Sequence, residues 1–209
     1  RIRELDAKLK TSTPEILAAQ RGWEERVRRA AKDWVTLTPV RAVSEGGAKL
    51  ESQTDGRILV TGANPLADTH VIESRVKLKK LSGLRIEAIP IASLPRTGPG
   101  RDAYGNFLVS DVTVEVAPAK KPGEWRKLEL GKAQADDGRA NFRGRLWSID
   151  ASREDVRPAR QLVLVAKDPV KLSGETLVRV SIKSVSELSG QALGHFRLSA
   201  TQAAQPMTI

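Results

Sequence analysis

The chain has 209 residues, 40% of them hydrophobic and 4% aromatic, and its 35 lysines and arginines exceed its 25 acidic residues to give a net charge of +10. That length holds one β-sandwich of ordinary size with a short appendage, or two small domains, of which one main core is the simpler reading. The absence of cysteine excludes disulfides, thiolate metal sites, a cysteine nucleophile and CxxCH haem attachment within these residues.

Residues 1–34 read as a helical arm in two pieces. Ile2, Leu5 and Leu9 share a stripe, and the Ser12-Thr13-Pro14-Glu15 run then carries a capping-box spacing from Ser12 to Glu15 with a proline in the first turn. Ile16, Trp23, Val27, Ala30 and Trp34 fall on one helical face, suited to packing on a neighbouring body. The densest basic run, Arg26, Arg28, Arg29 and Lys32, sits beside Glu24, Glu25 and Asp33, which reads as a solvated face rather than a nucleic-acid footprint. No apolar run reaches membrane-spanning length, so membrane insertion is not expected. Arg1 opens inside a helical pattern, and the sole methionine is Met207, which reads as an excerpt of a larger protein.

From Val35 the pattern changes to short β-type runs between turn residues, and residues 35–201 are predicted to form an all-β, jelly-roll-like antiparallel sandwich, with 202–209 as a tail. Ten strands are predicted: 49–52, 57–61, 69–77, 83–89, 107–116, 125–130, 145–149, 161–166, 176–183 and 194–200. Thr54-Asp55-Gly56 predicts a hairpin turn, and Ala119 to Glu124 a flexible surface connection. Val112, Val114 and Val116 alternate with Asp111, Thr113 and Glu115; Val178, Val180 and Ile182 alternate with Arg179, Ser181 and Lys183. This is the period of half-buried strands.

Ahead of that valine strand lies GPGRDAYGN, where glycine and proline permit a sharp turn that presents Arg101, Asp102, Tyr104 and Asn106. It reads either as a long turn or as a ligand or metal loop on the sandwich rim. As a sugar site, Arg101 and Asp102 would hydrogen-bond hydroxyls, Tyr104 would stack on a ring, and Asn106 would hold the turn or join the site. Trp125 and Trp147 are further aromatic platforms, and Trp147 with Asp150 forms a second candidate group, although a tryptophan in a short strand also serves as core. His70 and His195 read as surface or hydrogen-bonded residues, without a motif to make either a base, and no GxSxG, HExxH, P-loop or dinucleotide fingerprint occurs. The chain is therefore expected not to be an enzyme. Asp136 and Asp137 before Gly138 offer oxygens to calcium, or simply make a turn.

Four segments resemble the accessory galactose-binding-like domain of planctomycete-type cytochrome c multidomain proteins: WEERVRRAAKDWVTLTPV, DGRILVTGANPLADTHVI, LSGLRIEAIPIASLPRTGPGRDAYGNFLVSDVTVEV and LSGETLVRVSIKSVSELSGQALGHFRLSAT. Between Leu128 and Arg160 the chain departs from the family pattern, and it has His195 where an arginine is usual. The resemblance implies a jelly roll in a carbohydrate-binding-like or domain-scaffolding role, extracytoplasmic, with carbohydrate or neighbouring domains as partners. Haem is implied only for other domains of the parent, and no cofactor for this chain. Two other readings follow from the residues: a hydrolase, which needs facing carboxylates, and polyanion binding driven by net charge, whose affinity would collapse as salt rises.

Overall fold

A computed structural model of the protein describes residues 13–136, 140, 146–150, 159–187 and 190–204. The chain divides into two compact units at Asp33/Trp34. In the first, α1 spans Pro14–Lys32. Thr13 Oγ1 accepts the Ile16 N–H at 3.3 Å, Pro14 fills the first helical position, where a missing N–H costs nothing, and Ser12 lies outside the described residues. The first predicted helical piece lies outside the described residues. Ile16, Leu17 and Trp23 are exposed.

The second unit contains strands β1 Trp34–Thr36, β2 Pro39–Ser44, β3 Ala48–Ser52, β4 Arg57–Gly62, β5 Ala67–Val76, β6 Lys80–Ala88, β7 Leu108–Val109 and β8 Asp111–Pro118. They are followed by β9 Arg126–Lys127, β10 Leu130–Ala135, β11 Trp147–Ser148, β12 Arg160–Lys171, β13 Thr176–Val185 and β14 His195–Thr201. One sheet runs β10-β12-β6-β14-β4-β3 with β1 added on β14, a second runs β2-β5-β13-β8-β9, and β7 pairs β11 separately. Every described pairing is antiparallel.

The valine alternation sets the register of the five-stranded sheet. Val112, Val114 and Val116 stand opposite Ile182, Val180 and Val178. In the larger sheet Phe196, Leu198 and Ala200 face Ala88, Ile86 and Leu84 across the β14–β6 pairing. All twelve residues belong to one buried cluster, so the inner faces of the two sheets close on each other as an antiparallel sandwich. At roughly 25 cal/mol per Å² of apolar surface removed from water, this cluster supplies the main drive for folding.

Several boundaries differ from expectation, each for a local reason. Trp34 leaves the helical stripe and opens β1 opposite Thr201, with the Arg85 guanidinium 4.9 Å from its ring centre. The predicted 107–116 strand breaks at Ser110, whose Oγ accepts the Val185 N–H at 2.9 Å, placing β7 and β8 in different sheets. The predicted 125–130 strand is the crossing between sheets: β9 pairs β8, β10 pairs β12, and buried Leu128 lies between them, its N–H bonded to Val114 O at 2.8 Å. Ala119 to Glu124 is a hydrogen-bonded turn rather than a loose connection, with Lys121 N–H donating to Pro118 O and Glu124 N–H to Lys121 O. The Thr54-Asp55-Gly56 turn closes the β3–β4 hairpin, with Gly56 N–H donating to Gln53 O at 3.0 Å.

Phe196 is fully buried, its ring parallel to His70 at 6.0 Å. Phe196→Ala is expected to lower unfolding free energy by about 3–5 kcal/mol in urea titration. A loss under about 1 kcal/mol would contradict its place in the core.

Candidate functional site

The GPGRDAYGN loop lies at the end of the sandwich where β13 finishes at Val185 opposite Ala67. It is tied at many points. Gly100 N–H donates to Gly105 O at 3.0 Å and Gly105 N–H to Asp102 O at 3.0 Å, while Pro99 O accepts the N–H groups of Gly194 and His195 at 2.8 and 3.1 Å. Gly105 has φ +81°, and a side chain on Gly100 would run into the Asn106 carbonyl, so both positions demand glycine.

Asp102 organises the tip. Its Oδ1 accepts the Tyr104 and Asn106 N–H groups at 2.8 and 2.7 Å, and its Oδ2 accepts Asn106 Nδ2 at 2.8 Å. Arg101 reaches the other way, donating to Ala63 O at 2.7 Å and Gly62 O at 2.8 Å, while its carbonyl accepts Asn64 Nδ2 at 3.1 Å. Burial draws the Arg101 guanidinium below its ordinary pKa, and the negative charge of Asp68 partly offsets that shift. Arg101 and Asp102 thus serve the loop itself rather than standing outward for sugar hydroxyls, and Asn106 holds the turn.

Tyr104 is the group of this loop turned to solvent, 53% exposed. The sequence reading missed its companion: the Arg96 guanidinium lies 5.8 Å from the Tyr104 ring centre. Arg96 and Thr97 have φ of +52° and +60°, two consecutive non-glycine residues in the left-handed region, inside the short 3-10 turn Pro95–Thr97. Such backbone costs on the order of 1–3 kcal/mol per residue and persists only where surrounding structure holds it. Pro95 in the sequence signals a turn, but nothing in residue type signals left-handed arginine and threonine.

The second predicted group does not assemble on the surface. Trp147 is 1% exposed and packs edge-on against Phe107 with ring centres 4.6 Å apart, because β11 pairs β7 beneath the loop. It is core, not a platform. Asp150 is exposed but stands without that indole face. Trp125 is half-buried on the outer face of the five-stranded sheet, with the Arg179 guanidinium 3.7 Å from its ring centre. That guanidinium is held in turn by Glu73 at 2.9 Å and Glu115 at 3.6 Å, a self-satisfied polar cluster.

Both histidines are buried at 1% exposure, against the surface placement open to them from sequence. His195 opens β14, a strand flanked by β1, β4 and β6. Its Nδ1 sits 2.9 Å from Ile89 O, and burial pushes its pKa down, favouring the neutral ring. His70 Nε2 lies 3.3 Å from Asp68 Oδ2. Asp68 also accepts Ser44 Oγ–H at 2.7 Å and Gly46 N–H at 2.8 Å. Burial alone would raise the Asp68 carboxyl, but the bonds from His70, Ser44 and Gly46 outweigh it and hold the group well below the usual carboxylate range. Ser44 donates to the aspartate and not to the imidazole, and the side chains of Asp68 and His70 are 1% and 2% exposed, closed to a substrate. This is a buried brace for the β2–β3 turn, not a nucleophile with its base.

For calcium, Asp136 is engaged elsewhere: its Oδ1 is 3.1 Å from Arg160 Nη2 and its Oδ2 accepts the Gln161 N–H at 3.1 Å, while Asp137 lies outside the described residues. Among the described residues no three His, Asp or Glu side chains cluster as a metal site would require. No described helix is long and apolar enough to cross a membrane.

No family model matches the sequence, and no curated protein matches it. Among solved structures, the chain is similar to one described by work on the promiscuous specificity of carbohydrate-binding modules from the β-sandwich superfamily. The identity is 8% and the TM-score 0.33, over 81% of this chain. The chain spans 55% of that protein's length. A likeness this distant assigns no ligand.

Two outcomes follow from this geometry. Asp102→Ala removes the acceptor for two backbone N–H groups, so hydrogen exchange at Tyr104 and Asn106 should accelerate by roughly tenfold, about 1.4 kcal/mol, with little change in global melting; unchanged exchange would show that the carboxylate does not hold the tip. Because the folded Asp68 carboxyl ionises below its unfolded value of about 3.9, its stabilisation is complete at neutral pH, fades as pH falls through about 4, and is lost below the folded value. Asp68→Asn should therefore cost on the order of 2 kcal/mol at pH 7 and flatten the fall in stability between about pH 5 and pH 2. Parallel pH–stability curves for the two proteins would refute it.

Proposed function

We propose that the chain is a non-catalytic, carbohydrate-binding-like module of a larger extracytoplasmic protein of the cytochrome c type, in which a sugar ring stacks on Tyr104. The observation that carries the reading is an exposed tyrosine held on a backbone fixed from both sides. Asp102 pins the Tyr104 N–H, and the left-handed Arg96-Thr97 pair sets a guanidinium near its ring. A platform ordered before binding loses little conformational freedom on meeting its ligand. The C–H face of a pyranose is the apolar surface that a tyrosine ring accepts, and the Arg96 guanidinium supplies donors for hydroxyls beside it.

What supports a non-catalytic role is the engagement of two carboxylates at this end of the sandwich. Asp102 is occupied by the loop and Asp68 is sealed in the core. A second reading, an interdomain scaffold without a sugar ligand, is favoured by the apolar side chains that α1 leaves exposed, Ile16, Leu17 and Trp23. Cross-links in the full parent that fall on this helix, with the Tyr104 loop free, would favour the scaffold.

Screening the chain on a glycan array followed by calorimetry should detect a neutral glycan. Tyr104→Ala is expected to weaken that binding roughly tenfold, about 1.4 kcal/mol, whereas Tyr104→Phe should retain most of it. Absence of glycan binding at millimolar concentration removes the reading.

A further inference from the structure

The end of the sandwich opposite the Tyr104 loop is where β5 finishes at Val76 opposite Thr176, and where Pro118 pairs with the same threonine. Two grooves flank the β12–β13 turn there, of about 510 and 400 Å³, and they share Gly174 and Glu175 as a common wall. Five of their lining residues are cationic, Arg75, Lys120 and Lys121 in one and Lys77 and Lys79 in the other, against the single carboxylate of Glu175. Among the described residues Arg75 pairs with Glu175 at 3.0 Å and Lys121 with Glu124 at 2.9 Å, which leaves Lys77, Lys79 and Lys120 without a carboxylate partner.

The charge is concentrated further by the strand register. Lys80 and Lys171 stand directly opposite each other where β6 meets β12. Like charges across a strand pair oppose folding, so the arrangement is one that a bound anion would relieve.

We infer that this cationic cleft binds an acidic polysaccharide, whose carboxylate or sulfate groups meet Lys77, Lys79 and Lys120 on either side of the Gly174–Glu175 ridge. The inference goes beyond the Tyr104 reading: it places a second, anionic-glycan site at the other end of the sandwich. The two adjoining grooves suit successive residues of an extended chain better than one small anion. Leu78 and Leu172 supply apolar floor in one groove and Pro118 and Ala119 in the other, to meet the C–H faces of sugar rings. Gln202 also lines the Leu78 groove, its Oε1 accepting the Lys79 N–H at 3.1 Å. A single-stranded nucleic acid fits less well, because no aromatic side chain lines either groove to stack a base.

The test titrates the 209-residue chain with alginate, heparin, a neutral galactan and a short DNA duplex, each at low and at physiological salt, beside the Lys77→Ala/Lys79→Ala/Lys120→Ala variant and Tyr104→Ala. Alginate or heparin should bind, more weakly as salt rises. The triple variant should lose roughly tenfold or more in that affinity with an unchanged melting temperature, and Tyr104→Ala should bind the acidic chain as the parent does. No acidic polysaccharide binding, equal binding by the triple variant, or duplex DNA bound as tightly as the polysaccharide would overturn the inference. Since Tyr104 lies at the other end, failure of neutral-glycan binding is read separately: it removes the rim platform and leaves the acidic-chain result standing on its own.

Discussion

Val112, Val114 and Val116 are locked in register with Ile182, Val180 and Val178, and this ladder pressed on the Leu84, Ile86, Leu198 and Ala200 face is the constraint from which the other features take their positions. A slip of one residue would turn every valine to water and every charged neighbour inward. The charged neighbours show that the register is enforced from outside as well. Arg179, on the opposite face from the ladder, is caught between Glu73 and Glu115 and stacked on Trp125, and that combination forms only when β5, β13 and β8 are aligned as they are.

Fixing the ladder fixes the two ends. At one end the strands stop at Ala67, Asp111 and Val185, and the chain that joins them is gathered by polar contacts as well as by the buried Phe107, Trp147 and Leu193. Ser44, Asp68 and His70 brace the β2–β3 turn from within, Arg101 ties the glycine-rich loop to the carbonyls of Gly62 and Ala63, and Asp102 closes its tip. A charge as deeply buried as Asp68 is tolerated because Ser44 and Gly46 donate to it and His70 Nε2 lies 3.3 Å away, and removal of one donor would leave the desolvation cost uncovered. The loop therefore owes its fixed shape to polar groups that a surface view would assign to ligand contact.

That exchange of roles explains which parts of the molecule were legible in the sequence. Strict alternation in 111–116 and 178–183 announced half-buried strands, and the Thr54-Asp55-Gly56 signal announced a hairpin; both rest on local physics. Strands β2 and β10 carried weaker signals. β2 begins with a proline, and Leu-Gly-Lys-Ala-Gln-Ala in β10 lacks both β-branched residues and clean alternation, its register broken between Leu130 and Lys132. The end of β12 was hidden by Asp168-Pro169, which falls inside the register shift between Val165 and Val170. Trp34 satisfied helical spacing yet pairs with Thr201, a partner far away in the chain that no local pattern reveals. The same holds for the site: composition placed Tyr104 on the loop, but only tertiary contacts show that Trp147 underlies the loop and that Asp102 faces its own backbone.

The two ends also differ in how they manage charge, and the difference bears on function. At the Tyr104 end Asp68 is held by its donors, Arg101 by carbonyls and Asp102 by amides. At the other end, among the described residues, Lys77, Lys79 and Lys120 have no carboxylate partner and Lys80 faces Lys171. Exposed lysines cost little singly, and surface ion pairs would have gained little had partners been present, so fold stability gives no reason for this clustering. Electrostatic attraction to a polyanion does, because closely set cations raise the local concentration of an anionic chain before any specific contact forms. The net charge of +10, interspersed when read along the sequence, is thus gathered in part by the fold: the turns after β5 and β8 bring Lys77, Lys79 and Lys120 to one end, where residues more than forty positions apart line adjoining grooves.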